Sequence, residues 1–272
     1  MTLTGGYGDS MVSRTRKQTS AVVYDPGEFP PFAVTVDLVV FCLIDDELNV
    51  LLVKRLQDPF AGRWALPGGF KLPDETLDGA ASRELREETR VQGAALTQLH
   101  AYGDPGRDPR MNVVTVAYLA VLAGPVDVHG GSDAEAAAWH PVASVLDRHR
   151  FLAFDHVRIL GDALERIRSD AGSNGVVLGF LAPTFTLSTL RSAFEAVWGC
   201  RLDPANFRRK LTTDPGWVQP TGRWTTPGTV GGRPAEQFRA GRSWRTGSPV
   251  RRPTARPRHH AGSAPEHDGV ST

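Results

Sequence analysis

Between residues 69 and 91 the chain places Gly69, Glu75, Arg83, Glu84, Leu85, Glu87, Glu88 and Val91 at fixed intervals. Glu84, Glu87 and Glu88 stand at i, i+3 and i+4, so a helix puts all three carboxylates on one face. Like charges that close repel, and a bare helix gains nothing from them. A hard divalent cation reverses the sign, because Mg²⁺ or Mn²⁺ takes carboxylate oxygens and brings substrate phosphates with it. A solvated acidic face is the ordinary meaning of a charge run. Average residue frequencies, however, give this eight-position pattern by chance only on the order of once in a million chains of this length.

A second charged segment has the opposite sign. Residues 205–212, ANFRRKLT, follow Asp203 and Pro204, an N-cap and a first helical position. The helix carries Arg208, Arg209 and Lys210, which could face phosphates or bases. Asn206 has the donor and acceptor pair that suits adenine, and arginine suits guanine. A solvated basic face is the competing reading of these residues alone. The charge balance separates the two segments. Residues 201–272 hold 13 Lys and Arg against five Asp and Glu, a net charge of +8, whereas the preceding residues hold 18 against 25, or −7. An acidic front and a basic back suggest two modules with differently charged partners.

The elements that must position these groups follow from the pattern. Val34–Leu43 is a dense β-branched run and Asn49–Arg55 continues it beyond the polar Asp45–Asp46–Glu47, which predicts a hairpin with a buried first strand. Pro67–Gly68–Gly69 breaks the chain before another short strand. Thr76 or Asp74 can cap the carboxylate helix, and Asp78 suits its first turn. Val113–Leu122 reads as a strand, and Ala136–Val142 leads into Val145–Leu146. Phe154–Arg168 has helical spacing. Thr186 is an N-cap for a second helix that Gly199 ends, and Gly216–Arg239 alternates as a two-stranded ribbon would. The expected organisation is an N-terminus over 1–30 without structure, a first domain over 31–150, a second over 151–242 and a disordered basic tail over 243–272. The fold class is α+β, with mostly antiparallel strands.

Forty per cent hydrophobic and 22% charged residues fit a soluble globular chain. No apolar run reaches a membrane span, and residues 1–20 lack the apolar segment of a signal peptide. Cys42 and Cys200 have neither a CxxC partner nor zinc spacing, which suggests free thiols in a reducing, cytoplasmic setting.

Residues 69–91 resemble the Nudix box, Gly-x5-Glu-x7-Arg-Glu-U-x-Glu-Glu-x-Gly-U with U aliphatic, at every defining position but one. Arg90 stands where the family has glycine, just past the helix, where a left-handed residue is commonly needed. Arginine there should cost roughly 1 kcal/mol of strain, or the loop takes another path. The resemblance covers about residues 33–148 and implies an α/β/α sandwich. It also implies a hydrolase that cuts the pyrophosphate of a nucleoside diphosphate derivative with Mg²⁺ or Mn²⁺. Glu84, Glu87 and Glu88 would then be catalytic metal ligands helped by the Gly69 carbonyl, with Arg83 and Glu75 supporting them. The general base would come from a later loop, where Glu135 is favoured over Asp133. WALPGGF, YGDPGRDPR and SDAEAAAWHPV look like the ADP-ribose pyrophosphatase branch. There Arg55, Arg107 and Arg110 could meet the diphosphate or terminal ribose, although each alone reads more simply as a bracing arginine.

The order helix, second helix, basic helix and ribbon is that of a winged helix-turn-helix. PTFTL, NFRRKL and GRPAEQFR at these intervals resemble the C-terminal domain of the Nudix-related transcriptional regulators of NAD metabolism, over about residues 150–240. The resemblance implies operator DNA as a partner, contacted by Asn206, Arg208, Arg209, Lys210 and Arg233 of a homodimer. Three readings follow: an ADP-ribose-responsive regulator whose intact carboxylates favour retained hydrolysis, an ADP-ribose pyrophosphatase with a non-regulatory appendage, and a catalytically dead sensor. The first is preferred. The three clustered carboxylates argue against the dead sensor, and the basic helix and ribbon argue against the appendage.

Overall fold

The computed structural model describes residues 25–128, 134–148, 151–213, 216–225, 234–245 and 247–253. The elements below all lie in the unit that begins at Phe32.

Strand β1 (Ala33–Ile44) and β2 (Glu47–Arg55) form the expected hairpin. Asp45 and Asp46 both take positive φ, 51° and 60°, the geometry of the two-residue turn whose twist matches antiparallel strands. β1 also pairs with β4 (Gly68–Phe70), and β2 pairs with β3 (Trp64–Ala65) and β7 (Ala134–Pro141). β5 (Thr97–Tyr102) lies outside β6 (Val113–Val121). The sheet is mostly antiparallel, as expected, with one exception among these pairs. β6 runs parallel to β1 from the Ala33–Val113 pair to the Phe41–Val121 pair.

β1 has no polar face because both of its faces are covered. Val36, Leu38 and Val40 join Ala80, Ala81 and Leu85 of helix α1 (Leu77–Thr89). Val39 and Phe41, on the other face, join Ile159, Leu160, Ala163 and Ile167 of α3 (His156–Ala171). The short α2 (Val142–Leu146) leads into that helix. Each fully buried Val, Leu, Ile or Phe side chain among them contributes roughly 1.5–3 kcal/mol.

α3, expected to open the second module, is therefore also a layer of the first. Its apolar face continues into Leu190, Phe194 and Val197 of α4 (Leu187–Trp198) and into Phe207 and Leu211 of α5 (Pro204–Thr213). Thr186 caps α4 through the Thr189 amide at 3.0 Å, and Gly199 ends it in the left-handed region at φ 65°. β9 (Val218–Trp224) and β10 (Glu236–Ala240) make the ribbon, and β8 (Phe185–Thr186) adds a third strand to it. The tail expected from residue 243 needs correction up to residue 253. Ser248 and Val250 are buried and Trp244 packs against the core, so the folded part extends past the ribbon. Both cysteines are free, and burial pushes the Cys42 thiol up to about 12. Among the described residues no helix is long and apolar enough to cross a membrane.

Candidate functional site

Helix α1 starts where Thr76 accepts the Gly79 amide at 3.0 Å. Asp78 accepts the Tyr118 hydroxyl at 2.6 Å, which ties the first turn to β6. The helix ends at Arg90, which takes the left-handed conformation at φ 64° and donates its amide to Arg86. The sequence expectation for this position is met: an arginine does a glycine's work there.

Arg83 organises the carboxylates. It grips Glu75 with two bonds (3.0 and 2.7 Å) and reaches Glu84 at 2.7 Å, Glu87 at 3.2 Å and the Phe70 carbonyl at 3.0 Å. These bonds hold Glu75 down at about 2. Burial raises Glu84 above the usual carboxylate range in spite of Arg83. Glu88 accepts the Gly68 amide at 2.8 Å. A Cβ on Gly69 would collide with the Glu84 carboxylate, so the box glycine lets the strand backbone lie against that group.

Glu84, Glu87, Glu88 and the Gly69 carbonyl are hard oxygen donors, the type that Mg²⁺ or Mn²⁺ prefers. By donor chemistry and by their gathering on one helix face they fit such an ion. In this structure Arg83 and the Gly68 amide take up those oxygens, and among the described residues no three acidic or imidazole groups already converge as a ready cage. Glu87 is half exposed, so it can turn from Arg83 at little cost.

Beside this face lies a cavity of about 240 Å³, lined by Glu88, Gly69, Arg55, Arg107, Arg110 and Phe154 among others. The three arginines singled out from sequence thus meet in one place, with different surroundings. Arg107 is almost wholly buried. It makes paired bonds to Asp155 (3.0 and 2.6 Å) and a longer one to Asp37 at 3.4 Å. Burial opposes its charge, but the two carboxylates outweigh burial and raise its pKa. Arg107 is a brace. Arg110 is held by Asp108 at 2.7 Å, and its guanidinium lies 5.6 Å from the centre of the Phe154 ring, with that of Arg55 at 4.8 Å. Burial, and then the nearby Arg110, lower the pKa of Arg55. Two cations crowded on one ring beside a cavity form a receptor for an anion.

Asp37, Phe154 and His156 are wall residues that the sequence reading missed. His156 accepts the Leu66 amide at Nδ1 (2.9 Å) and turns Nε2 toward Asp37 at 3.4 Å. Burial lowers its pKa and favours the neutral ring. Phe154 holds φ at 52°, a strained backbone of the kind that persists where surrounding structure fixes it. Only Asp37 left a sequence signal, a lone acid inside a β-branched run. Glu135 does not line the cavity; it is exposed on β7 and pairs with Lys54 at 2.9 Å. Asp133 and Arg233 lie outside the described residues.

On α5, Asp203 caps the helix through the Asn206 amide at 2.7 Å, and the Asn206 side chain accepts from Arg209 at 2.8 Å. Asn206, Arg208 and Arg209 are exposed and Lys210 is half-buried, while Phe207 and Leu211 point inward. The turn between α4 and α5 is fixed by Glu195, a buried carboxylate that accepts the Leu202 amide at 2.7 Å.

Comparison with known proteins agrees with both halves. Residues 35–160 match the family model of the NUDIX domain, and residues 177–240 match that of the NrtR DNA-binding winged helix domain. An ADPR responsive transcriptional repressor of Acinetobacter baylyi is 30% identical over 84% of this chain and 90% of its own length. An ADP-ribose pyrophosphatase of Methanocaldococcus jannaschii is 35% identical over 44% of this chain and 68% of its own. The crystal structure of Shewanella oneidensis NrtR complexed with DNA superposes with a TM-score of 0.66 at 35% identity, covering 78% of this chain and 94% of that one. The chain belongs to the NrtR family, in which a Nudix domain is followed by a winged helix DNA-binding domain.

Proposed function

We propose that the protein is a DNA-binding transcriptional regulator of NAD metabolism, acting as a homodimer on operator DNA. Its Nudix cavity would receive ADP-ribose or a related nucleoside diphosphate derivative. The observation that carries this reading is the buried network of Asp37, Arg107, Asp155 and His156. Asp37, Arg107 and His156 belong to the cavity wall, and Asp155 and His156 also begin α3. The apolar face of α3 is shared with α4 and α5. A diphosphate near Arg55 and Arg110 would draw on the same cation cluster, so cavity and DNA helix have a physical connection. The Acinetobacter relative is named as ADPR responsive, and the Shewanella relative was crystallised with DNA.

We further propose that the domain hydrolyses its ligand. Glu84, Glu87 and Glu88 would hold Mg²⁺ or Mn²⁺, which when bound neutralises phosphate oxygens. Arg83 and Glu75 would keep the carboxylate face in place, and Arg55 and Arg110 would orient the diphosphate. The second reading, a pyrophosphatase with a non-regulatory C-terminal domain, draws on the Methanocaldococcus relative.

Linkage separates the two readings. A ligand displaces DNA only by binding the DNA-free state better, and DNA must then weaken ligand binding by the same factor. With a Glu88→Gln protein to suppress turnover, calorimetry should show ADP-ribose affinity falling about 5- to 150-fold when DNA from upstream of NAD-synthesis genes is bound. Equal affinities with and without that DNA would leave the enzyme reading standing and remove the regulator.

A further inference from the structure

A groove of about 390 Å³ lies between the start of α5 and the segment 250–253. Its wall carries Arg201, Lys210, Arg251 and Arg252 against a single acid, Asp203. That acid is engaged in capping α5. The segment is seated from below: Val250 is buried, its amide donates to the buried Ser248 at 3.1 Å, and Arg251 donates to the carbonyls of Ser248 (2.7 Å) and Gly172. Arg252 has Glu165 only at 3.9 Å, and Arg201 is 94% exposed beside Glu195. Lys210 makes no ion pair among the described residues. Closing the apolar core accounts for Val250. It does not account for Arg251 and Arg252, which line this groove together with two more cations and whose partners are the Gly172 and Ser248 carbonyls and the distant Glu165.

Asn206 and Lys210 belong both to this groove and to α5, so an occupant would run on from the exposed face of that helix. Resting on the DNA reading above, we infer that the groove is a second phosphate-binding element for duplex DNA. In it Arg201, Arg251 and Arg252 hold the backbone beside the stretch that α5 reads. A duplex supplies the matching charge, about one phosphate per 1.7 Å of axis. Contacts of this kind position the protein without reading sequence. The segment lies beyond residue 240, where the winged-helix family match ends, whereas Arg201 and Lys210 lie within it.

The test uses the full chain and a fluorescent duplex of random sequence, titrated over a range of salt concentrations. Arg201→Gln with Arg252→Gln should flatten the dependence of log affinity on log salt by about two units, close to 0.9 per phosphate, while the melting temperature stays near that of wild type. Arg63→Gln with Arg86→Gln removes the same charge from exposed positions in the Nudix domain, away from the groove lining, and should leave the slope closer to wild type. A slope untouched in the first pair, or an equal change in both pairs, overturns the groove. If Arg208→Ala/Arg209→Ala loses binding while the groove pair does not, this inference fails alone. A wild type that binds no duplex ends it together with the DNA reading.

Discussion

Helices α1 and α5 carry opposite charge and hold it in opposite ways. On α1 the carboxylates are interlocked, with Arg83 bonded to Glu75, Glu84 and Glu87 and with Glu84 buried. On α5 Arg208 and Arg209 stand in solvent, and the bond from Arg209 to Asn206 is the main constraint on that face. A compact ligand such as a metal-bound diphosphate needs oxygens fixed to a fraction of an ångström, which rigid support provides. A duplex is a long, hydrated polyanion met first through its field, and mobile side chains suffice for that. Changes on α1 should therefore act steeply and locally, and changes on α5 gradually and through salt.

The largest effect is expected at Glu88→Gln or Glu87→Gln. Each keeps the side-chain shape and removes one charge from a cation site, which should cut Mg²⁺-dependent ADP-ribose hydrolysis by about 100-fold or more, about 3 kcal/mol of barrier at the lower bound. Folding should survive, because Glu87 is half exposed and a glutamine oxygen at position 88 can still accept the Gly68 amide. Phosphate release assays on both variants check this. Their meaning depends on wild-type turnover: a wild type inactive on every nucleoside diphosphate with Mg²⁺ or Mn²⁺ would end the enzymatic half of the proposal.

On the other side of the comparison, Arg208→Ala with Arg209→Ala should weaken operator binding. Every phosphate contact removed should also lower the salt slope by about one unit, and loss of a base contact should relax discrimination by about 1–3 kcal/mol at that position. Anisotropy titrations on matched and mismatched duplexes read both. Unchanged affinity in the double variant would move DNA binding away from α5.

The two helices also differ in how legible their surroundings were. The span of α1, its Thr76 cap, and the start and end of α4 follow from residue types whose preferences are local: a hydroxyl before the first turn, a glycine after the last. The β1–β2 hairpin was equally plain. The parallel pairing of β1 with β6 was not, because a strand buried on both faces shows no alternation that reveals its partner. Arg55, Arg107 and Arg110 were found as a set, yet sequence could not divide them into one buried brace and two cations that face the Phe154 ring beside the cavity. That division comes from Asp155, and the reach from Arg107 to Asp155 spans 48 positions. Phe154 and His156 left no trace, since an aromatic and a histidine before a helix look like ordinary packing. Where chemistry depends on a long-range neighbour, residue spacing alone is silent.

The smallest effect expected concerns the loop after α1. Arg90 holds φ at 64°, a conformation that costs an L-residue about 1–2 kcal/mol and glycine almost nothing. Glycine gives part of that back through the greater freedom of its unfolded chain. The net gain of Arg90→Gly should be about 0.5–1 kcal/mol, a rise in melting temperature of about 1–4 °C for a chain of this size. No carboxylate changes, so the dependence of hydrolysis on Mg²⁺ concentration should stay where it is. Calorimetric melting and a metal titration of activity separate the two outcomes. A higher melting temperature with unchanged metal dependence means that Arg90 strains only the backbone turn. A shifted metal dependence would show that the shape of this loop reaches back to Glu87 and Glu88, and that the rigidity of the α1 face extends beyond the grip of Arg83.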